Sequence, residues 1–391
     1  MAVIALIDGE HHPAAVREAL ERLERERGLA GVAFCGGYEK LGPGPLEDHY
    51  GRPVRQDPEA ALRELAASAS GVVDLADEPP LPASRRLRLA VLALHHGLDY
   101  EAPGLRLDPP NYPSVPFDGP KLAVIGTGKR TGKTAVAGHW AALLQDPVIV
   151  CMGRGGPPEP RRAGPDLSLD DLLALARRGE HAASDYLEDA VLAGVRTVGC
   201  RRVGGGIAGE PAESNVAEGA ALAASFAPGA ILFEGSGACI PPVDVDRTVC
   251  LVGAGAQEPF ADYRLLRADL VLAAEGAPSA GDTLRFRLRP EPAEPLPQGA
   301  RVALFTTGAG RCEGVEPAVV STSLADRAAL AGDLERAVAE RCDIYLTELK
   351  AAAIDTVAVA AVAHGAGVAF VRNRPLGVGF DLDAELLKLM P

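Results

Sequence analysis

The stretch KLAVIGTGKRTGKTAVAGHWAALL, residues 121–144, decides the fold. It opens with the apolar run KLAVIG, continues through the glycine-rich GTGKRTGKT of residues 126–134, and ends in a run rich in alanine and leucine. An apolar strand that enters a glycine loop and leaves it as a helix is the local structure of a phosphate-binding loop. The stretch therefore predicts an α/β fold in which this strand belongs to a mostly parallel sheet.

The glycine loop has an unusual spacing and carries the side chains that phosphate chemistry needs. Gly126 and Gly132 are six residues apart, one more than in the Walker A pattern. Glycines let backbone N–H groups converge on phosphates, and the positive end of the following helix faces the same anion. We expect Lys133 to reach the β- and γ-phosphates, and Lys129 and Arg130 to face the transferred phosphoryl group. Strand, spacing and helix together favour this interpretation over a glycine turn with solvated basic side chains.

The spacing GT-x-x-x-x-GKT resembles the loop of the dethiobiotin-synthetase branch of P-loop enzymes, which implies that the loop holds ATP. In such a loop Thr134 places its hydroxyl on Mg²⁺. The predicted ATP-binding residues are contiguous: Gly126, Thr127, Gly128, Lys129, Arg130, Thr131, Gly132, Lys133, Thr134 and Ala135.

A second apolar strand ends in an acidic residue. The sequence AILFEGSGACIPP, residues 230–242, leads directly to Glu234 and a Gly-Ser-Gly turn, and it resembles the EGAG-type motif of dethiobiotin synthetase, where the glutamate serves the metal. A carboxylate at the end of a strand beside the phosphate-loop strand is placed to hold Mg²⁺ or its waters. The alternative is an exposed strand-terminal carboxylate in a turn. Paired with the phosphate loop, the metal site is the favoured interpretation.

Two aspartates of the segment SDYLED are further candidates for a metal site. Asp185 and Asp189 are four residues apart and would share one face of a helix. They could bind a metal or a substrate, and a solvated helix face is the alternative that the residues leave open. The predicted metal set is Thr134, Glu234, Asp185 and Asp189.

Two glycine-arginine segments each follow a predicted strand, CMGRGGPPEP at 151–160 and GCRRVGGGIAGEP at 199–211. Glycine allows close approach of the main chain to an anion, and arginine binds phosphate or carboxylate through two parallel hydrogen bonds. We expect Arg154, Arg201 and Arg202 to clamp a polyanionic substrate. Flexible surface loops in an arginine-rich chain are the alternative.

The chain also begins with a strand that runs into polar residues, in IDGEHHP at 7–13. The end of a strand is where α/β sheets bind ligands, so Asp8, Glu10 and His11 are candidates for substrate binding or proton transfer. The alternative is that they cap the helix that begins near Pro13.

The length of 391 residues predicts two to three domains at the usual ~150 residues each. Two proline-rich stretches disfavour regular structure and mark the connectors. We predict an α/β domain at 1–118, a P-loop ATP-binding domain with a mostly parallel sheet at 119–280, and an α/β domain at 281–391, the outer two being smaller Rossmann-like units.

Charge and composition exclude several classes of protein. The formal net charge of −14 excludes a general nucleic-acid or anionic-membrane surface, because such a surface needs a basic face. No run reaches the ~18 apolar residues of a membrane helix, and the start MAVIALIDGEHH lacks the basic region of an export signal. Seven cysteines without CxxC pairs argue against a zinc site or a disulfide framework. We expect a cytoplasmic homodimer.

Five segments together resemble the cyclic 2,3-diphosphoglycerate synthetase family: IDGEHHP, GTGKRTGKT, CMGRGGPPEP, SDYLEDAVLAGVRTVGCRRVGGGIAGEP at 184–211 and FEGSGACIPPVDVD at 233–246. The resemblance implies an ATP- and Mg²⁺-dependent enzyme. Its substrates would be 2-phosphoglycerate, phosphorylated to 2,3-diphosphoglycerate, and then 2,3-diphosphoglycerate itself, closed to the cyclic phosphoanhydride with a second ATP. The predicted catalytic residues are Lys129, Lys133 and Glu234.

Two other functions stay open at the level of sequence. An ATP-driven ligase of the dethiobiotin-synthetase type would activate a carboxylate and form a C–N bond, although the arginine-glycine loops suit a phosphate better than an apolar amine. A nucleotide-operated switch would use hydrolysis to control partner binding. The absence of an NKxD-type guanine motif in 235–276 weakens a GTP switch and leaves an ATP switch.

Overall fold

The computed structural model describes residues 2–253, 261–278, 282–308 and 310–391. The chain divides into two compact units. The first takes its described residues from Met1–Asn111 and Gln257–Arg267, and the second takes its own from Tyr112–Ala256 and Ala268–Pro391. Each unit is built around its own β-sheet.

The helices of the described residues are, in chain order, α1 (Pro13–Arg27), α2 (Leu46–Tyr50), α3 (Pro58–Leu65), α4 (Ala83–His95), α5 (Lys133–Ala142), α6 (Leu169–Arg177), α7 (Asp185–Leu192), α8 (Val216–Ala224), α9 (Ala261–Leu266), α10 (Arg327–Ala339), α11 (Val359–Ala363) and α12 (Leu382–Leu387). A 3₁₀ turn follows α3 at Ala66–Ser68, and a π-helix at Ala353–Ala358 leads into α11.

The strands are β1 (Val3–Ile7), β2 (Leu29–Phe34), β3 (Gly71–Asp74), β4 (Asp99–Ala102), β5 (Leu105–Leu107), β6 (Lys121–Gly126), β7 (Pro147–Gly153), β8 (Arg161–Ala163), β9 (Arg196–Val203), β10 (Glu213–Ser214), β11 (Ala230–Glu234), β12 (Arg247–Val252), β13 (Leu270–Ala274), β14 (Leu284–Pro292), β15 (Val302–Phe305), β16 (Val319–Ser321), β17 (Ile344–Glu348) and β18 (Gly367–Gly377).

The first unit is a small α/β structure. Its strands lie in the order β2-β1-β3-β4-β5. The pairs β1·β2, β1·β3 and β3·β4 are parallel, and β4·β5 is an antiparallel hairpin. Apolar side chains of α3 and α4 pack against one face of this sheet, among them Leu62 and Leu89, which are fully buried.

In the described residues, the second unit contains a thirteen-stranded sheet. Its main path is β10-β9-β7-β11-β6-β12-β13-β14-β18-β17-β15-β16, and β8 pairs with β9 at one end. All pairs from β9 to β14 along this path are parallel, and the long antiparallel pair β14·β18 joins them to a second parallel set, β18, β17, β15 and β16. The predicted α/β class with a mostly parallel sheet around the phosphate loop is confirmed.

The segments 119–280 and 281–391 contribute strands to this one sheet. The division of the chain at 118 and 280 stays a prediction. The two segments join where β13 pairs in parallel with β14, from Leu272↔Leu284 to Ala274↔Phe286. Strand β14 in turn pairs with β18 over seven residue pairs, from Phe286↔Gly377 to Pro292↔Val371.

The apolar character of the central strands explains why the phosphate loop lies where it does. Every residue of β11, and every residue of β6 after Lys121, is buried, as expected for parallel strands covered on both faces. Helix α5 packs on the sheet through Val136 and Trp140, both fully buried. The loop between β6 and α5 therefore lies at the carboxyl edge of the sheet, with β11 and β12 on either side.

None of the helices in the described residues combines the length and the apolar character that crossing a membrane requires.

Candidate active site

Close backbone contacts shape the phosphate loop. A Cβ at Gly126 would lie 2.6 Å from the Thr131 hydroxyl oxygen and 3.1 Å from the Leu251 carbonyl oxygen, so only glycine fits there. Gly132 has φ of 95° and is the N-cap of α5, a conformation that glycine adopts without steric cost. Among the described residues no side chain caps α5, so its first N–H groups and its positive end are open to an anion.

Lys133 is the first residue of α5 and points back into the loop. Its side chain is buried, and its Nζ donates to the Gly128 carbonyl oxygen at 2.9 Å and contacts the Thr131 hydroxyl at 3.4 Å. Burial lowers the pKa of this ammonium, while the nearby carboxylates of Glu234 and Asp185 oppose that shift. Because burial disfavours an unpaired ammonium, the negative charge of a phosphate bound in the loop would stabilise the charged form of Lys133.

Thr134 and Glu234 meet across the neighbouring strand ends. The Thr134 hydroxyl donates to Glu234 Oε1 at 2.7 Å. Burial first, and the charge of Asp185 second, raise the pKa of Glu234 to about 8. Glu234 Oε2 is buried and has no hydrogen-bond partner among the described residues.

The hydroxyl of Thr134 and the carboxylate of Glu234 are suitable ligands for a magnesium ion. Mg²⁺ prefers hydroxyl and carboxylate oxygens and usually keeps several waters. The unpartnered Oε2 of Glu234 is an orphaned buried oxygen that a cation or its water would satisfy. A divalent charge at this point would also offset the repulsion between Glu234 and Asp185.

Asp185 and Asp189 occupy different depths on α7. Asp185 borders the cavity of the phosphate loop, whereas Asp189 is 2% exposed and lies one turn further along the helix. Cys151 Sγ donates to Asp189 Oδ2 at 3.4 Å, and these atoms lie within 4.8 Å of a Glu234 oxygen. Burial, and then Glu234, raise the pKa of Asp189 well above its usual range. The solvated face that remained an alternative is thus wrong for Asp189.

A cavity of about 350 Å³ is lined by Lys133, Thr134, Asp185 and Glu234. The phosphate loop contributes Lys129, Arg130 and Lys133 to its wall. The glycine turn after β7 contributes Arg154, and the turn after β11 contributes Gly235, Ser236 and Gly237. Cations from two separate loops and two carboxylates, Asp185 and Glu234, thus face one space.

The other two predicted arginines do not line this cavity in the described residues. Along β9, Arg201 is exposed and Arg202 is buried, as alternation on a strand requires. Arg202 Nη2 donates to the Ser236 carbonyl oxygen at 2.9 Å, and its Nη1 bonds the Gly204 carbonyl. Arg202 therefore holds the turn after β11 from behind, while Arg154 approaches the same turn at Gly237 from the cavity.

Asp8, Glu10 and His11 belong to the first unit. Asp8 is fully buried, and its Oδ1 accepts hydrogen bonds from the backbone N–H groups of Glu10 and His11 at 2.8 and 3.2 Å. His11 Nδ1 also contacts Oδ1, at 2.9 Å, and Oδ2 accepts from the Asp77 backbone. Asp8 thus organises the turn before α1, while the His12 side chain caps that helix.

The structure adds a residue that lies outside the predicted set of site residues. Lys350, in the turn after β17, lines the cavity together with Lys129 and Lys133. The chain has only six lysines against 33 arginines. Half of them face this one cavity, and that concentration of a scarce residue is the signal that could have found Lys350.

Three family profiles match successive parts of the chain. They describe the N-terminal domain of cyclic 2,3-diphosphoglycerate synthetase at residues 2–108, its P-loop domain at 121–280 and its C-terminal domain at 299–374. A cyclic 2,3-diphosphoglycerate synthetase of Rubrobacter xylanophilus is 43% identical over 100% of this chain and 97% of its own length. The chain belongs to the cyclic 2,3-diphosphoglycerate synthetase family.

Further members of the cyclic 2,3-diphosphoglycerate synthetase family match over similar lengths. The protein of Thermococcus gammatolerans is 37% identical over 99% of this chain and 96% of its own, and that of Methanothermobacter thermautotrophicus is 33% identical over 99% and 96%. A structure of LpxK from Aquifex aeolicus in complex with ATP is 13% identical with a TM-score of 0.41, and it covers 71% of this chain and 89% of that one. Likeness at that level does not bear on the ligand of this chain.

The family boundaries divide the cavity between two domains of a cyclic 2,3-diphosphoglycerate synthetase. The phosphate loop, Arg154, Asp185 and Glu234 fall in the P-loop domain, whereas Lys350 and Asn373 fall in the C-terminal domain. Both parts of the cavity lie in the second compact unit.

Proposed function

We propose that this chain uses ATP to phosphorylate 2-phosphoglycerate to 2,3-diphosphoglycerate and then closes the product to cyclic 2,3-diphosphoglycerate. One observation carries the proposal: a single cavity in which a phosphate loop faces a second basic loop and two carboxylates. The second loop offers a place for an anionic acceptor, which simple ATP hydrolysis does not require. The names of relatives that align with the whole chain support the product.

In the first step the 3-hydroxyl of 2-phosphoglycerate attacks the γ-phosphorus of ATP and loses its proton to solvent, an O–P bond forms, and the bond to ADP breaks. Lys129, Arg130 and Lys133 stabilise the charge that spreads over the transferred group. Arg154 binds the phosphate or the carboxylate of the acceptor through its guanidinium. Holding donor and acceptor in one cavity makes the reaction effectively unimolecular.

In the second step a phosphate oxygen of 2,3-diphosphoglycerate attacks the γ-phosphorus of another ATP, and ADP leaves. The neighbouring phosphate then attacks the inner phosphorus of the activated group, forms the cyclic anhydride and releases orthophosphate. The close placement of the two phosphates favours this closure. The same cations serve both steps, because each step transfers or displaces a phosphoryl group.

Thr134 and Glu234 are the residues that we propose to hold Mg²⁺, with Asp185 at the cavity and Asp189 beneath it. When bound, Mg²⁺ supplies positive charge that offsets the charge of the β- and γ-phosphates. The orphaned Oε2 of Glu234 supports the assignment.

The remaining assignments rest on the sequence. Arg201, Arg202, Asp8, Glu10 and His11 stay predictions as substrate-binding residues, as do the cytoplasmic location and the homodimer. Size-exclusion chromatography with light scattering would test the homodimer.

The test of the proposed reaction is ³¹P NMR of the purified chain with ATP, Mg²⁺ and 2-phosphoglycerate. New phosphomonoester signals, followed by upfield anhydride signals distinct from those of ATP and ADP, are the expected result. Lys133→Ala should give neither, and Lys388→Ala, which removes an exposed lysine far along the chain, should behave as wild type. A sample without 2-phosphoglycerate completes the set.

Other outcomes of the same experiment distinguish the alternatives. ATP turnover that is equal with and without 2-phosphoglycerate would contradict the synthetase and favour a switch. If ATP is not consumed with 2-phosphoglycerate but is consumed when a carboxylate and an amine are added, the result would favour a ligase of the dethiobiotin-synthetase type.

A further inference from the structure

Lys350 brings a positive charge from the C-terminal part of the chain to the cavity of the phosphate loop. Its Nζ lies 3.2 Å from Glu188 Oε1, and its side chain lines the cavity. Glu188 is 8% exposed at its side chain, and its other oxygen, Oε2, has no hydrogen-bond partner among the described residues. The buried carboxylate of Glu188 thus holds the Lys350 ammonium in place through one ion pair and leaves it able to bind a further anion.

The backbone that carries Lys350 is anchored on both sides. Glu348 Oε2 accepts hydrogen bonds from the backbone and the hydroxyl of Thr307, each at 2.7 Å. The Lys350 N–H donates to the Glu348 carbonyl at 2.9 Å, and Leu349 is fully buried. Ala351 follows with φ of 49°, a conformation that non-glycine residues seldom adopt.

The chain beyond Lys350 fixes the turn on the face of the sheet that bears α5 and α7. The π-helix Ala353–Ala358 packs against α6, and its Ile354 shares a core cluster with Leu172 and Leu187. Lys350 therefore reaches the cavity from the same side as α7. Backbone strain that the surrounding structure enforces is found most often at functional sites.

Lys350 keeps its charge in this position. Attraction to Glu188, and then to Glu348 and Asp185, raises the pKa of its ammonium above the usual range. Lys129 and Lys133 already belong to the loop that would surround the nucleotide, whereas Lys350 comes from the turn after β17 and pairs with Glu188 of α7. Arg154 borders the same cavity from the turn after β7, so Arg154 and Lys350 are two cations that reach the cavity from outside the phosphate loop.

We propose that Lys350 binds a phosphate group of the acceptor, 2-phosphoglycerate or 2,3-diphosphoglycerate, and that Glu188 is the positioning residue that holds Lys350 toward it. This inference rests on the proposed function. It gives the C-terminal domain a role in substrate recognition, because the P-loop domain alone would lack this cation.

Binding without turnover tests the proposal. Isothermal titration of the full chain with 2-phosphoglycerate alone, and separately with a non-hydrolysable ATP analogue, compares Lys350→Ala with wild type. The loss of a charged hydrogen bond should weaken 2-phosphoglycerate about 10- to 100-fold. The affinity for the ATP analogue should change no more than about 2-fold, Lys350→Arg should recover part of the loss, and Lys388→Ala should match wild type.

A double-mutant cycle separates positioning from general damage. Glu188→Gln keeps the shape of the side chain and should weaken 2-phosphoglycerate less than Lys350→Ala does. If Glu188 acts through Lys350, the double variant should bind no worse than Lys350→Ala alone. Thermal unfolding of each variant reports any loss of folding.

Several outcomes would overturn the proposal. Equal affinity of Lys350→Ala and wild type for 2-phosphoglycerate would refute it while leaving the proposed function intact. Equal losses for both ligands would place Lys350 on the nucleotide instead. A wild-type chain that binds no 2-phosphoglycerate would refute the proposed function, and this inference with it.

Discussion

Single atoms of the phosphate loop show how little room this site allows. The Cβ that Gly126 lacks would overlap both the Thr131 hydroxyl and the Leu251 carbonyl. Gly126→Ala should therefore shift the loop and reduce phosphoryl transfer about 100-fold, the cost of misplacing reacting groups by about 1 Å. The rate of ATP-dependent product formation checks this. Gly332→Ala is the matched control, because a Cβ at that helical position meets nothing within 4 Å; a similar loss in both variants would contradict the argument.

Glu234 is the residue on which the magnesium assignment depends. Its Oε1 accepts from Thr134, and its buried Oε2 is unpartnered in the described residues. A ligand at 100 times its Kd adds about 2.7 kcal/mol of stability, so Mg²⁺ with an ATP analogue should raise the melting temperature by several degrees. In Glu234→Gln the part of this rise that depends on Mg²⁺ should disappear. Glu335→Gln, at an exposed position of α10, should keep it. An undiminished Mg²⁺-dependent rise of the melting temperature in Glu234→Gln would show that the metal is bound elsewhere.

The phosphate loop could be predicted from the sequence, whereas the orientation of the two arginines on β9 could not. GTGKRTGKT indicates its own chemistry because much of what shapes the loop is local: the Thr131 hydroxyl, five residues away, requires glycine at 126, and the positive φ of Gly132 favours glycine there. Arg201 and Arg202 are adjacent letters, yet one is exposed and the other is buried against the turn after β11. Only the phase of β9 decides which is which, and a short apolar run does not reveal that phase.

At the scale of elements, the neighbour of each strand decides what its last residue can do. Glu234 meets Thr134 because β11 pairs with β6 in register, with Glu234 opposite Val124. The sequence predicts both strands and an acidic end, but it contains no local signal for their order. Lys350 is harder to predict, since its approach to the cavity depends on the antiparallel pair β14·β18, whose partners, from Pro292↔Val371 to Phe286↔Gly377, are 79 to 91 residues apart in the chain.

Helix α4 of the first unit carries a half-buried titratable group at its last residue, His95. Burial first, and then His96 and Arg267, lower the pKa of His95 below its usual 6.5. As the pH falls through about 6.5, the unfolded chain takes up a proton that the folded chain resists, so stability present above that pH is lost below it. Urea unfolding at pH 7.5 and 5.5 should show that the free energy of unfolding falls less between these two pH values in His95→Gln than in wild type. His364→Gln, which is exposed, should lose as much as wild type; equal losses in all three proteins would contradict this.

At the scale of the whole molecule, the C-terminal part of the second unit is hydrogen-bonded to the rest of its sheet and packed into its core, and we expect the folding of the unit to depend on it. Removal of residues 299–391 would leave β14 as an open edge and strip Leu349, Ile354 and Leu386 from the core that covers α5 and α7. We expect such a truncated chain to aggregate and to bind no ATP analogue, as measured by light scattering and titration. A protease site placed at the exposed residues 297–299 provides the control, because cleavage there removes no strand. The two pieces should stay together on size-exclusion chromatography and keep nucleotide binding. A truncated chain that is monodisperse and binds nucleotide would show instead that the P-loop domain folds without its C-terminal partner, and Lys350 would then be an addition to a site that is already complete.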